Sequence, residues 1–560
     1  MLACFSTFIT LLLINYITYA LVGQKVYLVA GLIFYFLISF SLLFLFRLSV
    51  KQVYEYFKKA QKSQNLQRVV ILGADENAIS VAGALEIEHP KRFEIRGFVT
   101  KDISRRKIRI LDKPVIYNGR KMSDEVLALG ASAIILSEHT LTAEEKFSVV
   151  EDCLENDIQV FNAPIISNYE DEKAVSHKIR SLEIEDLLDR EPILLNKENK
   201  KRQLTGKTIL VTGGAGSIGS EIARQVAEYE PKLLLILDQA ETPLHNLQLE
   251  IQTKFENLNF KSIICDVTNV DRLELLFKSE NIDVVYHAAA YKHVPLMEEN
   301  PHEAVSVNIF GTKNLADLAI KYKVGHFVMV STDKAVNPSN VMGASKRAAE
   351  MYVQSLFHDQ EEIYTKFLTT RFGNVLGSNG SVVPLFRKQI ESGGPITITH
   401  PDIIRYFMTI PEACQLVLEA GAMGNGGEIF IFDMGEPVKI MDLALKMIKL
   451  AGFTPHEQIG VKITGLRPGE KLYEELLSDK SKTLPTYHKK IMIAEDEVRN
   501  FEEVNDAVNK IIKSAKKMKS QKVVAKLKKL VPEFKSNNSS FEELDKDSLD
   551  LKPFPKPKAI

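Results

Sequence analysis

An apolar segment that runs into three regularly spaced glycines constrains the fold more than any other stretch of the chain. Residues 208–212 are typical of a buried strand, and Gly213, Gly216 and Gly219 follow where a helical pattern begins. Glycine at the first two positions permits a tight turn and the close approach of a pyrophosphate to backbone N–H groups. Glycine at the third lets the helix pack closely on the strand. The spacing predicts a dinucleotide at the N-terminus of this helix, although an ordinary strand-to-helix turn is the alternative.

Residues around this turn are the expected cofactor contacts. Ser217 and Ile218 lie inside the turn. About 20 residues further on, the run Leu233–Leu237 ends at Asp238, where a carboxylate can accept hydrogen bonds from an adenosine ribose. Because a carboxylate there would also repel a 2′-phosphate, the predicted cofactor is NAD rather than NADP.

Strand-like and helix-like segments alternate through residues 207–495. This alternation predicts an α/β fold with a doubly wound parallel sheet, whose ligands bind beyond the carboxyl ends of the strands. At one such end, Asp266 and Val267 would lie near the adenine, unless they form a plain surface turn. At another, the small residues Ala288 and Ala289 would let the cofactor pass close to the backbone. The strands are predicted near residues 208–212, 233–237, 261–265, 283–287, 326–331, 366–371 and 429–433.

Composition excludes several classes of protein. The chain has 560 residues and a formal net charge of −1, so it has no basic excess with which to neutralise the phosphates of nucleic acid. Its four cysteines, at positions 4, 153, 265 and 414, show no metal-ligand spacing. We therefore expect no metal site and buried thiols in a reducing compartment.

Two nearly uncharged apolar runs, residues 2–22 and 26–46, begin the chain. Each is long enough to cross about 30 Å of hydrocarbon, and together they predict a helical hairpin that contacts membrane lipid. A cleaved signal peptide is the weaker alternative, because no basic segment precedes the first run. Lysines and arginines cluster after the second run, in residues 47–68, so the positive-inside rule predicts that the large soluble part lies in the cytoplasm.

A second Rossmann-like domain is predicted before the glycine turn. Residues 67–164 alternate strands and helices, but their first turn, residues 73–78, lacks the glycine triplet and carries two acids where a phosphate would lie. Its nucleotide site is therefore expected to be absent or altered. The predicted parts of the chain are a membrane hairpin at 1–50, a linker helix at 51–66, the Rossmann-like domain at 67–164, a connector at 165–206, the nucleotide-binding and catalytic domain with a small substrate-binding lobe at 207–495, and a helical, then disordered, tail at 496–560.

A charged sequence after the predicted fifth strand indicates the chemistry. Thr332, Asp333 and Lys334 follow that strand, and Met342 and Lys346 come at the start of a helix. Nicotinamide enzymes of this architecture place a tyrosine and a lysine at i and i+4 on one helix face, where the phenol moves the alcohol proton and the ammonium holds the ribose. Lys346 occupies the lysine position. Met342 occupies the tyrosine position and cannot carry a proton.

Six motifs lie at residues 212–221, 287–298, 331–350, 371–377, 405–413 and 465–472. Together they resemble the bacterial UDP-N-acetylglucosamine 4,6-dehydratases of the extended short-chain dehydrogenase/reductase superfamily. The membrane-bound branch of that family, used for capsule, O-antigen and protein-linked glycans, is also similar in its N-terminal helices and first Rossmann-like domain. Methionine is similarly found in that branch at the position of Met342. The resemblance covers the chain from the hairpin to about residue 500.

The resemblance implies a reaction in which NAD⁺ takes a hydride from C4 of the sugar, water is lost across C5 and C6, and the hydride returns to C6. Asp333 would protonate the departing C6 hydroxyl and Lys334 would remove the C5 proton, but adjacent charges titrate together and the division between them stays open. Thr332 would bind the C4 oxygen, and Lys346 would hold the nicotinamide ribose. With Met342 as a packing residue, Asp333 would also be the best candidate to take the C4 hydroxyl proton.

The same resemblance implies the contacts of a UDP-sugar. Arg405 and Arg467 are expected on the diphosphate, because guanidinium groups match phosphate oxygens in pairs. Glu470 would contact the ribose or the uracil. The other expected substrate contacts are Lys292 after the fourth strand, Asn374 after the sixth, and Ser381 in a glycine-rich loop.

The sequence thus predicts a multi-pass enzyme of the bacterial inner membrane, with a cytoplasmic catalytic domain, that acts on UDP-N-acetylglucosamine and retains the configuration at C5. A C5-inverting dehydratase and a UDP-sugar 4-epimerase are the alternatives among enzymes, although an epimerase would need tyrosine in place of Met342. A nucleotide-sugar sensor or scaffold at the membrane is the non-enzymatic alternative. A homo-oligomer is expected, as are contacts with other glycan-biosynthesis enzymes, whereas nucleic acid is not expected as a partner.

Overall fold

The computed structural model of the chain divides into two compact units, Met1–Leu182 and Glu183–Ile560. Each unit contains its own large sheet. The structure describes residues 2–24, 26–63, 66–88, 91–102, 108–117, 121–137, 141–163, 179–182, 197–362, 364–475 and 483–548.

The first unit begins with two long helices, α1 (Leu2–Val22) and α2 (Val29–Ser63). Both are long and apolar enough to cross a membrane, over Phe5–Val22 and Val29–Val53. Helix α2 is continuous for 35 residues, so residues 51–63 of the predicted linker helix are helical and extend the second apolar helix. Residues 47–63 contain no glycine or proline that would end the helix.

The two helices pack on each other as a hairpin. The rings of Phe8 and Phe36 are 4.8 Å apart between centroids. The side chain of Asn15 closes the turn, since its amide donates to the carbonyl of Tyr27 at 3.0 Å and its oxygen accepts the N–H of Tyr27 at 2.9 Å. The polar group inside α1 is thereby satisfied by the backbone.

Strands and helices alternate through the rest of the first unit. The strands are β1 (Gln67–Leu72), β2 (Phe93–Thr100), β3 (Arg109–Ile110), β4 (Lys113–Tyr117), β5 (Ala133–Leu136), β6 (Gln159–Asn162) and β7 (Arg180–Ser181), and the helices are α3 (Glu76–Ile87), α4 (Met122–Ala128) and α5 (Ala143–Glu155). The 7-stranded sheet has the order β3-β4-β2-β1-β5-β6-β7. Its inner strands are parallel, and β3 and β7 are antiparallel at the edges. This is a Rossmann-like α/β arrangement, as predicted.

The second unit is larger and repeats the same alternation. Its strands are β8 (Thr208–Thr212), β9 (Leu233–Asp238), β10 (Phe260–Ile264), β11 (Val284–His287), β12 (His326–Val330), β13 (Lys366–Arg371), β14 (Asn374–Val375), β15 (Ile396–Ile398), β16 (Ile404–Arg405), β17 (Phe407–Met408), β18 (Ile429–Phe432), β19 (Val438–Lys439), β20 (Val461–Ile463), β21 (Thr483–Pro485) and β22 (Ile491–Ala494). Its helices are α6 (Lys197–Leu204), α7 (Ser217–Ala227), α8 (Glu241–Lys254), α9 (Val270–Ser279), α10 (Val294–Glu299), α11 (Pro301–Ala304), α12 (Thr312–Lys321), α13 (Val341–His358), α14 (Val382–Glu391), α15 (Ile410–Met423), α16 (Ile440–Leu450), α17 (Phe501–Ala515), α18 (Ser520–Leu530) and α19 (Glu543–Ser548).

The main sheet of the second unit has 9 strands in the order β10-β9-β8-β11-β12-β13-β18-β22-β21. The strands from β10 to β18 are parallel, β22 is antiparallel to β18, and β21 is antiparallel to β22. This confirms the predicted doubly wound sheet. The strand order reverses between β8 and β11, which is where sheets of this kind bind their ligands.

Alternate side chains of the parallel strands enter cores on opposite faces of this sheet. Leu210 and Val285 belong to one core, and their neighbours Val211 and Tyr286 belong to the other. All four side chains are fully buried. A strand covered on both faces has no polar side, so these strands appear in the sequence as continuous apolar runs.

A small lobe follows β13 and is built from short paired strands. β14 pairs with β17, β15 with β20 and β16 with β19. Helices α14 and α16 pack together beside them. The lobe carries Asn374 on β14 and Arg405 on β16, two of the predicted substrate contacts.

The C-terminal segment packs into the same core as α13, the helix that carries Met342 and Lys346. Val504 and Val508 of α17 and Val523 of α18 are buried in that core. Phe541 is buried there as well, so the expectation of disorder from Ser536 is wrong for residues 536–548. The apolar residues of this charged tail are isolated in the sequence and show neither a helical nor a strand period. Their burial therefore could not be predicted, because it depends on the core against which they pack. The rest of the predicted tail, 549–560, lies outside the described residues.

Candidate active site

A cavity of about 970 Å³ lies at the carboxyl ends of β8, β11 and β12. Residues of the small lobe and of the segment 464–474 complete its wall. The predicted cofactor turn and most of the predicted catalytic and substrate residues therefore share one cavity. The predicted residues on its wall are Gly213, Gly216, Ser217, Ile218, Gly219, Ala288, Lys292, Thr332, Lys334, Met342, Lys346, Asn374, Ser381, Arg405, Arg467 and Glu470.

The glycine turn leaves no room for side chains at two of its three glycines. A Cβ on Gly219 would lie 2.1 Å from the carbonyl oxygen of Gly213, and a Cβ on Gly213, whose φ is +65°, would lie 2.6 Å from the nitrogen of Ala289. The third, Gly216, is the N-cap of α7 and has no side chain to accept the first N–H groups of the helix. The start of α7 therefore meets the cavity uncapped, which suits an anion.

Asp238 ends β9 beside this turn, as predicted, but its carboxylate binds the protein itself. One oxygen accepts the N–H of Ala215 and the other accepts the N–H of Ala240, each at 2.9 Å. Each oxygen keeps a second lone pair. The contact of Asp238 with a ribose thus stays a prediction, because Asp238 is not among the described residues that line the cavity.

Three other predicted cofactor contacts also lie off the described wall of the cavity: Asp266, Val267 and Ala289. Asp266 accepts the N–H of Thr268 at 2.8 Å, a bond typical of a turn, and its contact with the adenine stays a prediction. Val267 is 4% exposed and belongs to the core. Ala289 packs against Gly213 through its backbone. The contact of Ala289 with the cofactor stays a prediction.

Thr332, Asp333 and Lys334 form a charged corner after β12. The hydroxyl of Thr332 donates to Oδ1 of Asp333 at 2.8 Å, and Nζ of Lys334 donates to the same oxygen at 3.0 Å and to Oδ1 of Asn374 at 3.2 Å. The side chain of Asp333 is 2% exposed, and its Oδ2 has no hydrogen-bond partner among the described residues. Thr332 and Lys334 line the cavity, so Asp333 faces it through them.

The charges around Lys334 hold its proton. Burial lowers the pKa of this lysine, but the carboxylates of Asp333 and Glu474 outweigh burial and Arg405, and the pKa lies above its ordinary value. The resting corner is therefore an ammonium beside a carboxylate. A lysine that removes a proton from carbon must be neutral, so the predicted roles require a proton transfer inside the corner.

Lys346 and Met342 lie one turn apart on α13, and both line the cavity. Nζ of Lys346 donates to the carbonyl of Val330 at 2.7 Å, and burial lowers the pKa of this lysine to about 8. Met342 is 3% exposed and packs in the core. Its place as a packing residue agrees with the expectation from the sequence.

Buried polar contacts hold the strand and helix that carry these residues. Ser331, next to Thr332, donates to Glu350 of α13 at 2.5 Å, and Arg371 of β13 binds Glu350 through both oxygens at 2.9 and 2.5 Å. Arg347 and Arg371 also reach Asp496, at 2.9 and 3.1 Å. The corner, α13 and the start of the C-terminal segment are thereby joined by one network of charges.

The two predicted phosphate-binding arginines differ in their surroundings. Arg405 is 9% exposed, and its Nη atoms donate to the carbonyls of Ile404, Lys471 and Leu472 at 2.7, 2.8 and 3.1 Å. Arg467 is 57% exposed and pairs with Glu470 at 3.1 Å. Arg467 is thus the more available of the two, while Arg405 holds the segment 470–474 in place.

Glu470, predicted to contact ribose or uracil, lines the cavity and lies between these two arginines. It is 3.5 Å from Arg405 and 3.1 Å from Arg467. Lys292 lies on the cavity wall 3.5 Å from the hydroxyl of Ser378, and burial lowers its pKa. The hydroxyl of Ser381, just before α14, has no hydrogen-bond partner among the described residues.

Two residues of the site, Glu474 and Asn340, were not predicted from the sequence. Glu474 lines the cavity and is 3.6 Å from Lys334, yet its sequence neighbours give no spacing that indicates chemistry. Asn340 also lines the cavity, and its side chain caps α13 by accepting the N–H of Gly343 at 2.7 Å. That cap could have been found, because asparagine before a helical pattern is a common start signal.

A second contact that the sequence does not indicate comes from residues 535–539, here named the C-terminal strap. The strap binds the start of α13, since Asn537 donates through its backbone to Ser339 at 3.1 Å. It also binds the segment that carries Arg467. Asn538 donates through its side chain to the carbonyl of Leu466 at 2.7 Å, and Asn537 accepts the N–H of Gly469 at 2.8 Å.

Comparison with known proteins places the chain in a family. Residues 209–496 match the family described as polysaccharide biosynthesis protein. The capsular polysaccharide biosynthesis protein CapD of Staphylococcus aureus is 50% identical over 346 residues, 62% of this chain and 57% of that protein. The probable polysaccharide biosynthesis protein EpsC of Bacillus subtilis is 44% identical over 413 residues, 73% of this chain and 68% of that protein. A UDP-N-acetylglucosamine 4,6-dehydratase (inverting) of Campylobacter jejuni is 36% identical over 275 residues, 49% of this chain and 78% of that protein.

The doubly wound sheet, the glycine turn and the cavity define a Rossmann-fold protein of the extended short-chain dehydrogenase/reductase type. The chain belongs to the polysaccharide biosynthesis protein family. The match spans little more than half the length of the Staphylococcus aureus relative.

Proposed function

We propose that the chain is a membrane-anchored, NAD-dependent UDP-N-acetylglucosamine 4,6-dehydratase that serves polysaccharide biosynthesis. The observation that carries the proposal is that the uncapped glycine turn and the charged corner lie on the wall of one cavity. The family of the chain and the printed name of the Campylobacter jejuni relative support the reaction and the substrate.

The residues of the turn fit a dinucleotide. Gly213, Gly216 and Gly219 leave the start of α7 free of side chains that would compete with a pyrophosphate. Asp238, one strand away, would bind the ribose through its remaining lone pairs and favour NAD over NADP. Lys346 would hold the nicotinamide ribose. When bound, NAD⁺ supplies the acceptor for the hydride of C4 and returns that hydride to C6.

The charged corner supplies the acid and the base. Transfer of one proton from Lys334 to Asp333, over the 3.0 Å between them, turns the resting pair into a neutral amine and a carboxylic acid. The amine can then remove the C5 proton, and the acid can protonate the departing C6 hydroxyl, so that water leaves and the pair returns to an ammonium and a carboxylate. The proton of the C4 hydroxyl would pass to solvent, and Lys334 would return a proton to C5 as the hydride reaches C6 and recover its own from solvent. Because Asp333 lies behind the wall, its proton would pass through the hydroxyl of Thr332, 2.8 Å away.

The substrate would lie between the corner and the small lobe. We propose that Arg467 and Lys292 bind the diphosphate, since both line the cavity, with Ser381 and the start of α14 beside them. Asn374 is bonded to Lys334 and would contact the sugar. Arg405, whose Nη atoms already meet three carbonyls, would act on the diphosphate more weakly than predicted from the sequence.

Helices α1 and α2 would anchor the enzyme as a hairpin in the inner membrane of a bacterium, with the catalytic unit in the cytoplasm. Their length and apolar composition support a membrane location, and so does the basic cluster after the second run. We also propose that the enzyme forms a homo-oligomer and meets other enzymes of glycan biosynthesis there.

The most specific part of the proposal is the configuration of the product at C5. We propose that it is retained, because Met342 leaves the cavity without the tyrosine of the wider superfamily, as in the membrane-bound branch that the sequence resembles. The printed name of the Campylobacter jejuni relative is that of an inverting enzyme, so the two outcomes need a direct test.

Incubation of the purified full chain with UDP-N-acetylglucosamine in D₂O, followed by NMR of the product, tests all parts together. The expected product is a 6-deoxy-4-keto sugar that carries deuterium at C5 with retained configuration. An inverted C5 would identify an inverting dehydratase, and a C4 epimer that keeps its C6 hydroxyl would identify an epimerase. A bound but unchanged nucleotide sugar would point to the sensor or scaffold.

A further inference from the structure

We propose that Glu474 is a positioning residue that sets the charge of Lys334 and thereby the pH range in which the charged corner works. This inference rests on the proposed dehydratase function for its consequence in turnover. Its physical content, the coupling of two side chains, can be measured without turnover.

The carboxylate of Glu474 is buried between two cations. Its side chain is 5% exposed, and Oε1 lies 3.6 Å from Nζ of Lys334 and 3.8 Å from Nε of Arg405. Burying a carboxylate in a low dielectric is costly unless a cation is close, so the folded protein favours the state in which Lys334 is charged. Loss of the proton from Lys334 would leave Glu474 with Arg405 alone.

The ammonium of Lys334 donates to two acceptors and lies beside a second carboxylate. Asp333 accepts at 3.0 Å, Asn374 accepts at 3.2 Å, and Glu474 lies within ion-pair distance at 3.6 Å. The charged groups that face Lys334 are therefore Asp333 and Glu474, which favour the ammonium, and Arg405, which opposes it. Burial lowers the pKa of Lys334, and the two carboxylates together raise it above the ordinary value.

Glu474 differs from Asp333 in what it can contribute. Asp333 exchanges a proton with Lys334 in the proposed reaction, so its own charge changes during turnover. Glu474 lies on a separate segment that Arg405 fixes through the carbonyls of Lys471 and Leu472, at 2.8 and 3.1 Å. Its charge is thus held at a constant position against Lys334, which is what a residue that sets a working pH requires.

The test compares Glu474→Gln with Glu475→Gln in the full chain. Glu475 is the matched control, because it is 46% exposed and pairs with Lys471 at 3.1 Å rather than with the corner. The charge of Lys334 is measured by its rate of acetylation with acetic anhydride as a function of pH, read by mass spectrometry of the peptide that contains it. The side chain of Lys334 is 17% exposed and lines the cavity, so the reagent can reach it.

Removal of one opposite charge at this distance should lower the midpoint for acetylation of Lys334 by about 1–3 pH units in Glu474→Gln. Glu475→Gln should keep the midpoint of the natural chain. Glu474→Asp retains the charge and should restore the midpoint in part. Circular dichroism would confirm that Glu474→Gln is folded. If this folded variant had the same acetylation midpoint as the natural chain, the proposal would be overturned.

The pH profile for formation of the 4-keto sugar then separates the two proposals. If Lys334 works as a base, the limb in which activity rises with pH moves to lower pH in Glu474→Gln. If Lys334 works as an acid, the limb in which activity falls with pH moves to lower pH. A shifted acetylation midpoint with no 4-keto sugar from any variant, the natural chain included, would support the coupling and refute the dehydratase.

Discussion

The first turns of the two sheets show how one architecture can hold a site or close it. After β1, Asp75 caps α3 by accepting the N–H of Ala78 at 2.9 Å, and Asn77 donates to the carbonyl of Ser137 at 3.1 Å. After β8, Gly216 occupies the N-cap position of α7 and has no side chain with which to cap it. In the first sheet the protein itself fills the position that an anion would take, whereas in the second sheet that position faces a cavity.

Both parallel sheets place a helix N-terminus after their first strand. The residue at the N-cap position of that helix decides whether the N-terminus can bind an anion. A carboxylate at the start of a helix satisfies the free N–H groups and repels phosphate. Glycine at the same position leaves the N–H groups available. The first unit is therefore expected to bind no dinucleotide at β1, in agreement with the acids in its turn.

The largest expected effect is on turnover, and it distinguishes the charged residues of the corner from a carboxylate that only caps a helix. Lys334→Ala and Asp333→Asn should each slow formation of the 4-keto sugar by about 10²–10⁴-fold, the usual scale for a lost acid or base. NAD should be retained, because the glycine turn is unchanged. Asp75→Asn in the first unit is the matched control and should keep full activity, since asparagine caps a helix as well as aspartate. Turnover close to the natural rate in both corner variants would remove the corner from the mechanism.

The second effect tests the two turns themselves with one substitution in the first helix of each sheet. A Cβ on Gly219 would lie 2.1 Å from the oxygen of Gly213, whereas a Cβ on Gly83 of α3 would meet no atom within 4 Å. Gly219→Ala should distort the turn at a cost of about 1–3 kcal/mol and weaken nucleotide binding about tenfold or more. Gly83→Ala should instead stabilise the first unit by about 0.5–1 kcal/mol.

Nucleotide released on denaturation, measured per chain, and hydrogen exchange of α3 would check these two outcomes. Equal nucleotide content in Gly219→Ala and in the natural chain would show that the turn does not hold the cofactor.

The third effect compares how the two units hold their elements together. Glu350 is fully buried between Arg347 and Arg371, so Glu350→Gln should lower the free energy of unfolding of the second unit by about 3–5 kcal/mol, the cost of breaking a buried ion pair. Asp152 of the first unit accepts two bonds from Ser123, at 2.8 and 2.9 Å. Asp152→Asn keeps one acceptor and should cost about 1 kcal/mol.

Urea unfolding followed by hydrogen exchange in β13 and α4 would assign each loss to its unit. Similar small losses in both variants would contradict a special role for the charge network beside the corner.

The smallest expected effect is on substrate binding, through the C-terminal strap. The strap is hydrogen-bonded to the segment of the cavity wall that carries Arg467. Asn538→Ala removes the bond to the carbonyl of Leu466, worth about 1 kcal/mol, and should raise the KM for UDP-N-acetylglucosamine about fivefold with kcat unchanged. Asn509→Ala, which removes an exposed bond to Asn505 on α17, is the control and should change neither constant. An equal effect of the two variants would show that the strap does not position the segment with Arg467.

Local patterns were enough to determine the backbone of this protein. The glycine spacing at 213–219 and the apolar runs predicted the turn and the parallel strands around it, because a strand buried on both faces must be continuously apolar. The spacing of Met342 and Lys346 placed both on one face of α13, since residues four apart on a helix are neighbours. The sequence by itself therefore determined the fold class and most of the cavity wall.

The tertiary structure decided the protonation state of the charged corner and the contacts between distant segments. Asp333 lies behind Thr332, the carboxylates of Asp333 and Glu474 favour the ammonium of Lys334, and Phe541 in the C-terminal tail is buried although the composition of the tail predicts disorder. The contacts of Glu474 and of the strap do not follow from spacing along the chain, because they join segments that lie far apart in the sequence and meet only in the folded state. The energy of two charges depends on the distance between them and on the dielectric around them, and only folding sets both.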